Sequence, residues 1–138
     1  MSLDESQVRR LRRLQERRGV CLVLDVPLCA PPGSWPPGTA DHRIDAVMLP
    51  GTPRVGLLHH DDADGFADWV QGGPAVLVAS RGSIDRPLLG LLVAGTDLFS
   101  RSYPSHGRLS QLAVVDRADA NMTWVYRYRG VEIEVADG

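Results

Sequence analysis

The chain has no lysine: all fifteen of its Lys/Arg positions are arginine. Chemistry that needs a free amine is therefore excluded. There is no Schiff base, no phosphate-loop lysine and no lysine general base. The bias towards Arg, Ala, Gly and Pro also matches a GC-rich coding sequence. Cysteine is scarce. Cys21 and Cys29 cannot build a disulfide framework or a four-thiolate zinc site, so a reduced, cytoplasmic protein is expected. Long apolar runs are missing too. One of the longest, Ala75 to Ala79, is far too short to span a bilayer, and no membrane partner is expected. The first residues hold no apolar stretch of the secretory kind, so no signal peptide is expected. Aromatic residues make up only 6% of the chain, and the net charge is −2.

What remains is the composition of a compact domain: 138 residues, 43% hydrophobic and 23% charged. That is enough to bury one core, and too apolar for a disordered chain. Val8, Leu11 and Leu14 recur at helical spacing within Asp4 to Arg18, with Asp4 or Ser2 as cap and Gly19 as stop. The run Val20 to Val26 reads as a strand. Pro27 to Ala40 holds five prolines and reads as a long loop. His42 to Leu49 reads as a strand, with Ile44, Ala46 and Met48 on one face and Asp45 and Val47 on the other. Arg54 to His59 is expected to pair back against it after the turn at Pro50 to Pro53. Gly65 to Val70 reads as a short helix, and Pro74 to Ser80 as the central strand. Asp85 and Pro87 open an apolar helix to about Arg101. Leu109 to Val115 is a strand, Ala118 to Arg129 a helix, and Val131 to Val135 an edge strand. Central strands linked through helices imply an α/β fold: a three-layer sandwich on a mixed sheet, with residues 1–138 as one domain.

In this order, three stretches carry a resemblance. They are Arg43-Ile44-Asp45-Ala46-Val47, the strand Pro74 to Arg81 with Ser83-Ile84-Asp85-Arg86 behind it, and the helix from Leu89 to Phe99. Together they resemble the restriction-endonuclease-like PD-(D/E)xK nuclease superfamily. The resemblance implies that fold, with an Asp on the second strand and an acid-x-Lys on the third holding Mg²⁺. Asp45 then stands at the first metal ligand. Ala79 and Arg81 stand where the acid and the lysine belong, and Leu91 where some relatives carry Gln. Glu5 or Glu16 matches a further acidic ligand of some members. A methyl at Ala79 donates no oxygen, and a guanidinium at Arg81 stays protonated, so it is no general base. The resemblance thus implies a degenerate member: a non-catalytic binding or assembly module, with a vestigial site at Asp45, Ala79 and Arg81 and no cofactor.

Two alternatives stay open. One is a Mg²⁺-dependent nuclease with migrated ligands, pairing Asp45 with Asp62 or Asp61. The other is a nucleic-acid-binding accessory protein that uses the arginine-rich first helix. Arg9, Arg10, Arg13, Arg81 and Arg86 are the candidate phosphate contacts. The partner is otherwise another protein or a second copy of the chain. His59-His60-Asp61-Asp62-Ala63-Asp64, which His42 could join, is the densest group of metal-ligand types, although a solvated loop with capping carboxylates is the plainer reading. Trp35 is either core cover or a partner anchor. Trp69, Trp124, Tyr126 and Tyr128 are expected to pack. Cys21 is expected to be buried, and Cys29 lies in the loop.

Overall fold

A computed structural model describes residues 3–28 and 42–136. The loop reading beyond Leu28, with Cys29 and Trp35, lies outside the described residues. Elements follow in the order α1 (Glu5–Arg18), β1 (Cys21–Leu28), β2 (His42–Leu49), β3 (Gly56–His59), a 3-10 turn (His60–Asp62), α2 (Phe66–Val70), β4 (Ala75–Ser83), α3 (Arg86–Ser102), β5 (Leu109–Arg117), α4 (Ala120–Tyr128) and β6 (Val131–Val135). One six-stranded mixed sheet runs β3-β1-β2-β4-β5-β6. Strands β1, β2 and β4 form an antiparallel meander, and the helical crossovers α3 and α4 make β5 and β6 parallel to β4.

Helices cover both faces, because each face is apolar. Leu11 and Leu14 of α1 pack on Leu22, Met48, Val78 and Leu112. On the opposite face, Phe66 of α2, Leu88, Leu92 and Phe99 of α3 and Tyr126 of α4 pack on Val23, Val47, Leu77 and Ala113. This is the expected three-layer α/β sandwich. The caps are those legible in the sequence. Asp4 and Gln7 form a capping box on α1, and Gly19, at φ 60°, ends it. Asp85 caps α3 by accepting from the Leu88 N–H, and Asp119 caps α4 through the Met122 N–H. Among the described residues no helix is long and apolar enough to cross a membrane.

Several expectations need correction. Pro27 is not loop but lies within β1, opposite Arg43 of β2. Segment β3 does not pair with β2. It lies parallel to β1, because the far side of β2 is taken by β4. The faces of β2 do not simply alternate: Ile44 shares its face with Val47 and Leu49, while Ala46 and Met48 face α1. Strand β1 switches at the matching place, with Val23 and Val26 on one side and Leu22 and Leu24 on the other. The switch falls at Asp25, which adopts φ 57°, left-handed backbone that is uncommon for a residue with a side chain. Finally, Trp124 and Tyr128 do not pack inward. They are 66% and 76% exposed, because the inward stripe of α4 is set by Tyr126.

Candidate functional site

The ladder between β2 and β4 ends at Ala46 opposite Val78. Beyond that point the strands part, and the Ser80 N–H has no partner on the β2 backbone. The Asp45 side chain takes it instead: Oδ2 accepts from the Ser80 N–H at 2.8 Å. The same oxygen accepts from Nη1 of Arg81, at 2.5 Å. That guanidinium nitrogen also donates to the Ser80 carbonyl at 2.7 Å. Asp45 is 8% exposed, and the carboxyl stands above its usual range. Burial is the main cause. The Ser80 N–H and the Arg81 cation pull the other way, and the charge of Asp25 adds to the rise.

Asp25 comes from the other neighbouring strand. In the register of β1 on β2 it falls between Leu24, opposite Ala46, and Val26, opposite Ile44, so it lies beside Asp45. Its carboxylate meets the Arg43 guanidinium and Nε2 of His59, each at 3.4 Å. Nδ1 of His59 accepts from the Asp61 N–H at 3.1 Å, which leaves the proton of the neutral ring on Nε2, facing Asp25. The result is a buried carboxylate with an arginine on one side and, one strand away, a second carboxylate with an arginine and a histidine.

Asp45 and Arg81 are thus brought together, while Ala79, two residues before Arg81 on β4, is buried among apolar residues. Asp61 reaches the group only through His59. Asp62 is exposed on the turn after β3, beyond β1 from Asp45, and Glu5 and Glu16 are exposed on α1. Leu91 lies within α3, half-buried. Asp25 was not singled out from the sequence. Its signal was a lone carboxylate inside the apolar run Val20 to Val26.

Three of the six arginines of α1 point into ion pairs with the sheet. Arg10 grips Asp116 through Nε and Nη2, both at 3.0 Å, and donates to Ser80 Oγ at 3.2 Å. Arg17 and Arg18 converge on Glu134 of β6. Burial raises the Glu134 carboxyl, but the two guanidinia outweigh it and the net direction is down. Arg13 is half-buried, Arg9 and Arg12 are exposed, and Arg86 is exposed at the start of α3.

Mg²⁺, which the family resemblance implies, needs several hard oxygen donors. Among the described residues no group of three or more His, Cys, Asp or Glu side chains is placed to hold a metal ion. The bound oxygen of Asp45 already accepts an amide and a guanidinium. This donor set does not fit the ion.

No protein-family model matches the chain, and no curated protein matches it at a significant level. Among solved structures it is similar to the crystal structure of a repair endonuclease from Pyrococcus abyssi, at 10% identity and a TM-score of 0.49. The match covers 99% of this chain and 48% of that one, so the chain spans about half the length of that protein. At such identity and score, function is read from this chain's own residues.

Proposed function

We propose that the chain is a non-catalytic binding or assembly module on a restriction-endonuclease-like scaffold. One observation carries the reading: Oδ2 of the buried Asp45 carboxylate is taken by the Ser80 N–H and the Arg81 guanidinium, both hydrogen-bond donors. A carboxylate in that setting holds the strands together where their ladder ends. It is not an open ligand for a divalent cation. Arg81 is permanently cationic, so it neutralises Asp45 and takes no proton from a water. The exposed Arg9 and Arg12 leave room for weak electrostatic contact with a polyanion, but the other α1 arginines with defined partners serve the fold.

The experiment is calorimetric titration with Mn²⁺ together with a cleavage assay on single- and double-stranded DNA and on RNA. The expected result is neither metal-binding heat at millimolar ion nor cleavage. Mn²⁺-dependent cleavage that disappears in Asp45→Ala would overturn the reading in favour of a nuclease with other ligands.

A further inference from the structure

Helix α3 has a glycine with no internal reason to be there. Gly90 sits in the middle of an exposed helical stripe, where glycine weakens a helix relative to alanine. Its backbone needs no positive φ. A Cβ built on it meets nothing within 4 Å. Gly95, one turn on, differs: it lies against Leu77 and Ile44, so the fold itself explains it. Gly90 lines a groove of about 540 Å³ between α3 and α4. The floor is aliphatic, from Leu89, Val93, Met122 and Val125, with Val93 itself 48% exposed. Arg86 and Arg129 line the same groove. On the next stripe of α4, the exposed Trp124 and Tyr128 stack at 5.3 Å and 17°.

We propose that the groove between α3 and α4 is the docking site for an acidic amphipathic helix of a partner protein. The missing side chain at Gly90 lets a helix backbone approach closely, and the aliphatic floor receives that helix's apolar stripe. Arg86 and Arg129 meet its carboxylates. The charged side chains that line the groove are Arg86 and Arg129, with no carboxylate among the lining residues; Asp85 and Asp119 cap α3 and α4 outside that lining. Asp97 lies farther along α3, outside the groove lining. A second copy of this chain fits less well, since two-fold pairing would set these arginines against their own counterparts. A nucleic-acid strand fits less well because the floor offers aliphatic side chains, and the two exposed rings already cover one face of each other. The exposed Trp124 is placed at the rim, as a contact that excludes water.

The inference is independent of Asp45, so a metal-binding result there neither supports nor removes it. The probe is a fluorescein-labelled peptide of about twenty residues, with leucine on one helical face and glutamate on the other. It is measured by anisotropy against the full chain, beside the same peptide with lysine for glutamate, an oligo-dT strand, and sedimentation of the protein alone. The acidic peptide should bind saturably and the lysine peptide should not. Gly90→Leu, which fills the groove, and Arg86→Glu with Arg129→Glu should each weaken binding about tenfold or more. Gly90→Ala should raise Tm by about 3 °C while weakening binding, opposite signs that a purely structural glycine does not give. Binding unchanged in Gly90→Leu would overturn the proposal. So would preference for oligo-dT, or a dimer that Gly90→Leu dissociates. Melting of Gly90→Leu and Gly90→Ala by circular dichroism separates groove filling from misfolding.

Discussion

Replacing Asp45 separates a structural carboxylate from a catalytic one. Asp45→Ala removes the acceptor of the Ser80 N–H, in a residue with no solvent exposure, at a point where no strand carbonyl takes over. A buried donor left without a partner costs roughly 1–3 kcal/mol, and a hydrogen bond to a charged group lies at the upper end. The Arg81 side chain is 37% exposed, so after losing Asp45 it turns to water and adds at most about 1 kcal/mol. The sum is about 2–4 kcal/mol, or roughly 6–12 °C in Tm for a chain of this size. Asp45→Asn keeps an oxygen for the Ser80 N–H and removes the cost of burying charge, so it should stay within about 1 kcal/mol of the wild type. The assay is urea denaturation of both variants with and without Mn²⁺. A true metal site at one hundred times its Kd adds about 2.7 kcal/mol to the wild type. Metal stabilisation of that size, absent in both variants, would refute the reasoning. Equal losses in Asp45→Ala and Asp45→Asn would show that charge, not hydrogen bonding, is what the strands need.

Other outcomes follow from the same geometry. The Asp45 carboxyl is raised above 3.8, so the folded chain holds its proton more tightly than the unfolded one. Wild-type stability should therefore fall relative to Asp45→Asn as pH rises from about 4, the reverse of an ordinary ion-paired carboxylate. Asp116 is held low by its hydrogen bond to Arg10, so its contribution is present above the normal carboxylate range and lost as pH falls through the lowered value. Comparing pH-stability curves of wild type and Arg10→Gln checks that sign. Asp25→Asn keeps a residue that tolerates positive φ and removes a like charge beside Asp45. Its NMR titration should show the Asp45 carboxyl moving down, and an unmoved value would break the link between the two. Tyr126→Phe loses the hydroxyl that donates to the Asp85 carbonyl and accepts the Asp85 N–H, and should cost about 1–2 kcal/mol by urea melting. Gly107→Ala puts a methyl 2.7 Å from the Gly73 carbonyl, in backbone that cannot swing aside, and should cost about 1–3 kcal/mol.

Local chemistry alone determined much of this protein. Helix caps at Asp4, Asp85 and Asp119 and the stop at Gly19 were legible because each acts within a few residues of its own chain position. The apolar periods of α1, α3 and β4 were legible for the same reason, and with them the layered α/β class and the central strand. Asp45 was legible only through the resemblance carried by Arg43 to Val47, not through local chemistry. Tertiary structure decided what was not local. The sequence does not say which strand is neighbour to which, so β3 was matched to β2 when β1 holds it. Period-two alternation assumes unbroken strands. The left-handed turn of Asp25, beside Asp45 where the ladder skips a pair, switches both strands to the other face. The fate of the α1 arginines was hidden as well, since Asp116 and Glu134 lie more than a hundred positions away and meet them only after the sheet has formed. Aromatic residues on α4 were legible as helical, but which side of a helix is buried depends on the sheet beneath it. Tyr126 took that side and left Trp124 and Tyr128 in water.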